Sequence, residues 1–276
     1  MNKGILYICP TPIGNLEDIT LRTLNVLKEV DLIAAEDTRR TLKLLNHYRI
    51  KKPLTSYHEH NKKSKAKILL EKLKEGSKIA LVTDAGMPGI SDPGEDMIKL
   101  CIEEDIDVVA LPGATAFLLA LVLSGLKTDK FVFEGFLSSK PKDRMKELER
   151  LKKEERTIIL YEAPHRVEVL LQDILTVLGN RHISISRELT KVHEETFRGS
   201  VSDAVAWFKS TKPKGEFVIV LEGGVVLEDD PYEYISIKEH IKKYLQEGMS
   251  KKDAVRRVAE ERNIPKNQVY KESLDI

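Results

Sequence analysis

The stretch Ile79–Gly94, IALVTDAGMPGISDPG, constrains the fold of this chain more than any other part of it. Ile79, Leu81 and Val82 form a short apolar run after the polar KEGSK segment, which predicts a strand buried on both faces. Beyond it Thr83-Asp84-Ala85-Gly86 turns the backbone. Met87-Pro88-Gly89 and Asp92-Pro93-Gly94 then exclude regular helix or strand, because proline and glycine break both. Open α/β sheets bind ligands in such loops just past a buried strand. The length of the loop and its two carboxylates, Asp84 and Asp92, favour a site over an ordinary tight connection.

The flanking segments repeat the same alternation. Gly4 to Cys9 predicts a first strand, stopped by the rigid turn Pro10-Thr11-Pro12-Ile13-Gly14-Asn15. Leu21, Leu24 and Leu27 recur at helical spacing, and Leu32 to Ala35 returns as a strand. Asp37 or Thr38 then caps a helix carrying Leu42, Leu45 and Tyr48. Ser56 to Asn61 reads as a polar loop whose His58 and His60 lack further ligands for a metal. A helix over Ser64–Glu75, with Ile68, Leu69 and Leu73 inward, turns Lys62, Lys63, Lys65, Lys67 and Lys72 outward. Met97, Ile98, Cys101 and Ile102 mark an amphipathic helix, Val108 to Leu111 a strand, and Ala114-Thr115-Ala116 the opening of an apolar helix to Leu123. Small residues at that N-terminus leave its free N–H groups open to a ligand. Strand and helix in alternation with glycine turns predict a parallel sheet.

Gly125 to Lys130 is the candidate junction to a second half. That half reads as a strand over Phe131–Leu137, a charged helix over Lys142–Arg156, and a strand from Thr157 into Tyr161-Glu162-Ala163-Pro164-His165-Arg166. A helix bearing Val169, Leu170, Ile174 and Leu178 follows, then a strand at Ile183–Ser186. The charged run Arg187 to Glu195 falls at that strand's end. A helix with Val205, Trp207 and Phe208 and a strand over Phe217–Leu221 complete the half. After an acidic linker, Glu228–Tyr234, two helical patterns (Ile237–Glu247 and Lys252–Asn263) resemble a helix–turn–helix in outline, with Lys251, Lys252, Arg256, Arg257 and Lys266 available for phosphates. The division is therefore 1–125, 126–227 and 228–276: two α/β domains and a helical C-terminal extension.

Composition narrows the class further. The chain has 276 residues, 41% hydrophobic and 32% charged, with a net charge of +1, so nucleic-acid binding must come from local patches. Cys9 and Cys101 offer neither a disulfide framework nor a CxxC metal site, which fits a reducing cytoplasm. The N-terminal apolar run is short for a signal peptide, and Ala116–Leu123, the longest apolar run, is far too short to span a bilayer. The dinucleotide fingerprint, the P-loop and the nucleophile elbow are all missing.

The ordered motifs carry a resemblance. They are Pro10-Thr11-Pro12-Ile13-Gly14-Asn15-Leu16 with Asp18, Glu36-Asp37-Thr38-Arg39, the loop Thr83–Gly94, Leu111–Ala116, Tyr161–Arg166, Arg187-Glu188-Leu189-Thr190-Lys191 and Lys214-Gly215-Glu216-Phe217. In order and spacing, over about residues 4–224, the chain resembles the ribosomal RNA small-subunit methyltransferase I family of the tetrapyrrole-methylase class. Met87 stands where that family often has threonine. The resemblance implies a class III methyltransferase with S-adenosylmethionine in the cleft between two α/β domains, acting as a cytoplasmic homodimer without a metal. The implied reaction is 2′-O-methylation of a cytidine ribose in the decoding centre of 16S (small-subunit) rRNA. The implied cofactor residues are Pro12, Asp84, Met87, Ile90, Thr115, Ala116, Tyr161, Glu162, Gly215 and Glu216. Glu162, His165, Arg187, Glu188 and Lys191 are the catalytic candidates. Glu188 or His165 would accept or orient the proton while Arg187 and Lys191 hold RNA. Alternatives are a tetrapyrrole or protein side-chain methyltransferase of the same fold, or a non-catalytic RNA-binding factor.

Overall fold

The computed structural model describes residues 3–211, 214–224, 235–262, 264–274 and 276. The first half runs β1 (Ile5–Ile8), α1 (Leu21–Glu29), β2 (Leu32–Ala35), α2 (Thr38–His47), β3 (Leu54–Ser56), α3 (Lys62–Lys74), β4 (Lys78–Val82), α4 (Glu95–Glu103), β5 (Asp107–Ala110) and α5 (Ala116–Ser124). Its five strands pair in parallel in the order β3-β2-β4-β1-β5, so the Ile79 strand is central as expected. Alternate residues of β4 serve opposite cores. Ile79 and Leu81 meet Leu69, Leu73 and Met97, whereas Ala80 and Val82 meet Val26, Leu27 and Leu45. Helices on both faces explain why the strand reads as a continuous apolar run.

Two details of this half depart from the sequence reading. β3 was not expected, and its last residue, Ser56, was read as the start of a loop; three residues pairing with β2 at the sheet edge are too few to show a period. α3 starts at Lys62 and buries Ala66, Leu69, Leu70 and Leu73 while Ile68 is exposed. Lys62 lies across from Asp96 at 2.7 Å and Glu59 at 3.0 Å, and so ties α3 to α4 instead of joining a free basic face.

The second half runs β6 (Phe131–Phe136), α6 (Pro141–Leu151), β7 (Thr157–Glu162), α7 (Val167–Val177), β8 (His182–Arg187), β9 (Glu195–Ser200), α8 (Val201–Thr211) and β10 (Phe217–Leu221). The sheet order is β6-β7-β10-β8-β9, parallel only between β6 and β7. β9 was not expected. It is a charged edge strand, and the run after Arg187 is the loop of the β8–β9 hairpin. α6 stops at Leu151, short of the expected Arg156. There the carbonyls of Lys152 and Glu154 accept from Arg181 and the Gly224 N–H. One face of this sheet packs on α6, α7 and α8 through Leu148, Leu170, Ile174 and Phe208. On the other, Ile159, Val218 and Val220 meet Ala120 and Leu121 of α5, so the helix that closes the first half also covers the second sheet.

Both sheets belong to one compact unit, Met1–Gly224; Val225–Ile276 forms another. The latter holds α9 (Ile237–Gln246), α10 (Lys251–Glu261) and α11 (Lys266–Ser273) around Ile241, Val255, Val258 and Val269. The third helix was not expected: it has eight residues, too few for a clear helical period, and buries Val269 and Ser273. The linker Glu228–Tyr234 and Asn263 lie outside the described residues.

Candidate active site

The loops after β1, β2 and β4 clasp one another at the carboxyl ends of the first sheet. Thr11 and Gly86 exchange two backbone hydrogen bonds (2.9 and 3.0 Å), and the Thr11 hydroxyl donates to the Thr83 carbonyl at 3.0 Å. The Asp84 carboxylate accepts from the Asp37 N–H at 3.1 Å and pairs with Arg40 at 3.0 Å, while the Asp84 N–H donates to Glu36 at 3.2 Å. Asp37 itself caps α2 and binds Arg39, which holds its carboxyl down at about 2. The Glu36-Asp37-Thr38-Arg39 and Thr83-Asp84-Ala85-Gly86 motifs are therefore one structural device.

The hairpin loop of the second sheet closes the other side. Glu188 and Thr190 adopt left-handed backbone (φ 51° and 67°), and Asn15 N–H donates to the Thr190 hydroxyl at 2.9 Å. Two glycines permit this approach. A β-carbon on Gly14 would fall 2.5 Å from Lys191 Cγ, and one on Gly215 (φ 100°) would fall 2.7 Å from Glu188 Oε1. Glu188 pairs with Lys191 at 2.9 Å, and Arg187 pairs with Glu195 at 2.7 Å rather than with its sequence neighbour.

Between these loops lies a cavity of about 300 Å³. Ile13, Met87, Ile90, Phe117, Phe136 and Tyr161 supply its apolar wall, and Thr115 and Ala116 bring the N-terminus of α5 to it without a side-chain cap. The carboxylates of Glu36, Asp84, Asp92, Glu188 and Glu216 line it too, opposed by Arg40, Arg187 and Lys191. Burial, then the charges of Glu36, Asp84 and Glu216, push Asp92 up to about 7. Glu36 is also raised, chiefly by burial, and burial takes the Tyr161 hydroxyl to about 12. A second cavity of about 540 Å³ adjoins the first, lined by Pro12, Gly14, Lys43, Gly215 and several residues shared with it.

Of the sequence candidates, Asp84, Met87, Ile90, Thr115, Ala116, Tyr161, Arg187, Glu188, Lys191 and Glu216 converge on the first cavity, and Pro12 and Gly215 on the second. Glu162 and His165 reach neither. Glu162 is fully buried, accepting from the Ala163 N–H at 2.8 Å and facing Arg166 at 3.1 Å, and burial raises its pKa. His165 is exposed on the turn that follows. Strand alternation explains the pair Tyr161 and Glu162: neighbouring residues of β7 face opposite sides, so one lines the cavity and the other does not. The site also recruits Glu36, Arg40, Phe117 and Phe136, which sequence reasoning did not single out. Glu36 sits in a quoted motif, whereas the aromatics gave no signal beyond apolarity. Among the described residues no group of three or more His, Cys, Asp or Glu could hold a metal, and no helix is long and apolar enough to cross a membrane.

Residues 5–205 match the family described as Tetrapyrrole (Corrin/Porphyrin) Methylases. The chain is 48% identical over 274 residues to the ribosomal RNA small subunit methyltransferase I of Synechocystis sp., covering 99% of this chain and 98% of the relative. With the protein of the same name from Bacillus subtilis it shares 49% over 273 residues, 98% of this chain and 94% of the relative. The chain belongs to this family of tetrapyrrole methylases. A shorter family member, from Thermotoga maritima, is 53% identical over 220 residues, 80% of this chain and 99% of its own. Solved structures share the fold at low identity. A cobalt precorrin-4 methyltransferase superposes with TM-score 0.61 at 17% identity, over 79% of this chain and 94% of its own. A uroporphyrin-III C-methyltransferase from Thermus thermophilus, in complex with S-adenosylhomocysteine, gives 0.57 at 17%, over 79% and 97%. These are class III methyltransferase folds, two sheets with helices between and around them, as the family resemblance implied.

Proposed function

We propose that this chain transfers the methyl group of S-adenosylmethionine to the 2′-hydroxyl of a cytidine ribose in the decoding centre of small-subunit rRNA. The observation that carries this reading is near-full-length identity of almost one half to relatives named for small-subunit rRNA methylation, on a chain whose cleft is physically suited to the reaction. The cleft fits the cofactor in chemistry and size. Carboxylates at Glu36, Asp92 and Glu216 complement a cation, the aromatic wall accommodates a flat base, and about 300 Å³ is within the range of small-molecule sites.

When bound, S-adenosylmethionine supplies a methyl group already activated by a positive sulfur. The residues then have to align the ribose hydroxyl, and orientation accounts for most of the rate gain. A ribose hydroxyl is a poor nucleophile. Glu188, at the boundary of the two cavities, accepts or orients its proton, and Lys191, 2.9 Å away, stabilises the negative charge that develops on oxygen. Arg187, held by Glu195 at 2.7 Å, contacts the RNA backbone in this reading. Pro12, Asp84, Met87, Ile90, Thr115, Ala116, Tyr161, Gly215 and Glu216 remain the cofactor residues of this proposal. Glu162 acts behind the cavity wall, holding the turn before α7 through Arg166. The working form is a cytoplasmic homodimer, a reading that sedimentation of the purified chain tests.

The deciding experiment supplies labelled S-adenosylmethionine to isolated small ribosomal subunits that lack the modification and maps the label by nuclease digestion. Label on one cytidine ribose of the decoding centre is the expected result. Saturable cofactor binding with no transfer to subunits or naked rRNA overturns the assignment and redirects the search to tetrapyrroles and proteins.

A further inference from the structure

Three cavities meet at Glu188, and their charges differ. The first combines Glu36, Asp92 and Glu216 with cations that are each bound to a carboxylate: Arg40 to Asp84, Lys191 to Glu188 and Arg187 to Glu195. A polyanion is repelled there. The second, at about 540 Å³ the larger, keeps Asp84, Glu188 and Glu216 with Arg40 and Lys191, lacks Glu36 and Asp92, and adds Lys43 of α2, an exposed lysine for which the described residues hold no ion-pair partner. The third is shallow and shares Glu188 and Gly215 with the second. Its other members are Arg187, His193 and Lys214, and Lys214 is likewise exposed and unpaired among the described residues. Lys43 and Lys214 therefore line two different cavities that share Glu188 and Gly215.

Resting on the functional reading above, we propose that a single RNA strand crosses the mouth of the cleft from Lys43 to Lys214. One nucleotide is turned out of the strand into the larger cavity, and the phosphates on either side of it are held by these two lysines. The arrangement grades the charge: a cationic ligand in the first chamber, where carboxylates outnumber cations, and an anionic backbone on the rim where Lys43 and Lys214 add unpaired positive charge, with Glu188 and Lys191 at the boundary where the two would react. A base must leave its stack for its ribose to enter so confined a site, which suits an unpaired loop better than a duplex. Phosphate contacts of this kind add affinity and register without reading sequence.

The test compares the unmodified enzyme with Lys43→Ala, Lys214→Ala and the double variant on small ribosomal subunits lacking the modification, between 50 and 200 mM salt (roughly the range over which counterion effects are large). Each single variant should raise KM for subunits about five- to tenfold. The dependence of log KM on log salt should flatten by about 0.7 for each phosphate contact to a single strand. Values of kcat and of S-adenosylmethionine affinity within twofold of the parent, with unchanged melting temperature, complete the expected pattern. Unchanged KM and salt slope in the double variant, with the parent active, overturn the inference alone. A parent enzyme that transfers no methyl to subunits overturns the functional reading, and the inference falls with it.

Discussion

Replacing Asp92 by asparagine should stabilise the empty protein at alkaline pH while weakening its hold on a cationic ligand. The carboxyl lies among Glu36, Asp84 and Glu216 and is raised from 3.8 to about 7, first by burial and then by those charges. Its proton affinity is therefore higher folded than unfolded, so its contribution to stability is fully present below about pH 4 and is lost as pH rises through about 7. At about 1.4 kcal/mol per tenfold change in proton affinity, a fully buried group would lose about 4 kcal/mol. Asp92 is only partly buried, and solvent screening reduces this to about 1–2 kcal/mol. For a unit of this size that corresponds to about 2–8 °C in Tm. Asp92→Asn should accordingly melt higher than the parent at pH 8 and match it much more closely at pH 4.5. At pH 8, above that raised value, Asp92 is ionised, so the same variant removes a negative charge from the cavity. At an effective dielectric of about 20 and a separation of about 8–10 Å, this weakens a cation by about 1.7–2 kcal/mol, or about 20- to 30-fold in Kd. Calorimetry should find that loss for S-adenosylmethionine and little change for S-adenosylhomocysteine, whose sulfur is neutral. Equal losses for both ligands, or parallel stability–pH curves for variant and parent, would refute the reasoning.

Other substitutions probe the remaining parts of the site and its support. Gly215→Ala puts a β-carbon 2.7 Å from the Glu188 carboxylate at φ 100°, so it should lower kcat about tenfold or more and cost about 1–3 kcal/mol of stability. Single-turnover methyl transfer and denaturant titration read the two effects. Glu188→Gln keeps shape but removes the proton acceptor; it should cut kcat about 100-fold or more with cofactor affinity preserved, and unchanged turnover would remove Glu188 from the mechanism. Asp173→Ala strips the buried Arg144 of its 2.7 Å partner, outside the lining of either cavity. The buried cation then keeps only the Ser138 carbonyl and the charge of the buried Glu162, which should cost up to about 3–5 kcal/mol, visible as a large fall in Tm with kcat retained below the transition.

Much of this protein was legible without coordinates because the relevant signals are local. The β4 strand and its proline–glycine loop, the turn after β1 and the Asp37 cap each depend on residues close together in sequence. Short or edge elements were not legible: β3 has three residues, β9 is half-exposed and charged, and α11 is eight residues long, so none shows a clear period. Side-chain direction was the other limit. Tyr161 and Glu162 are adjacent and equally suggestive as residues, but only the sheet decides that one lines the cavity and the other is sealed behind it with Arg166.

By itself the sequence determined the alternation of strands and helices, the loops at the strand ends and the family, because hydrophobic period, backbone-breaking residues and motif order are written along the chain. Only the tertiary structure decided which charges face one another. Asp84 is committed to Arg40, Lys191 to Glu188 and Arg187 to Glu195, while Asp92 shares a confined space with Glu36 and Glu216. Electrostatic energy depends on distance and burial in space, and residues 36, 92 and 216 acquire both only when two sheets and the helix between them pack together.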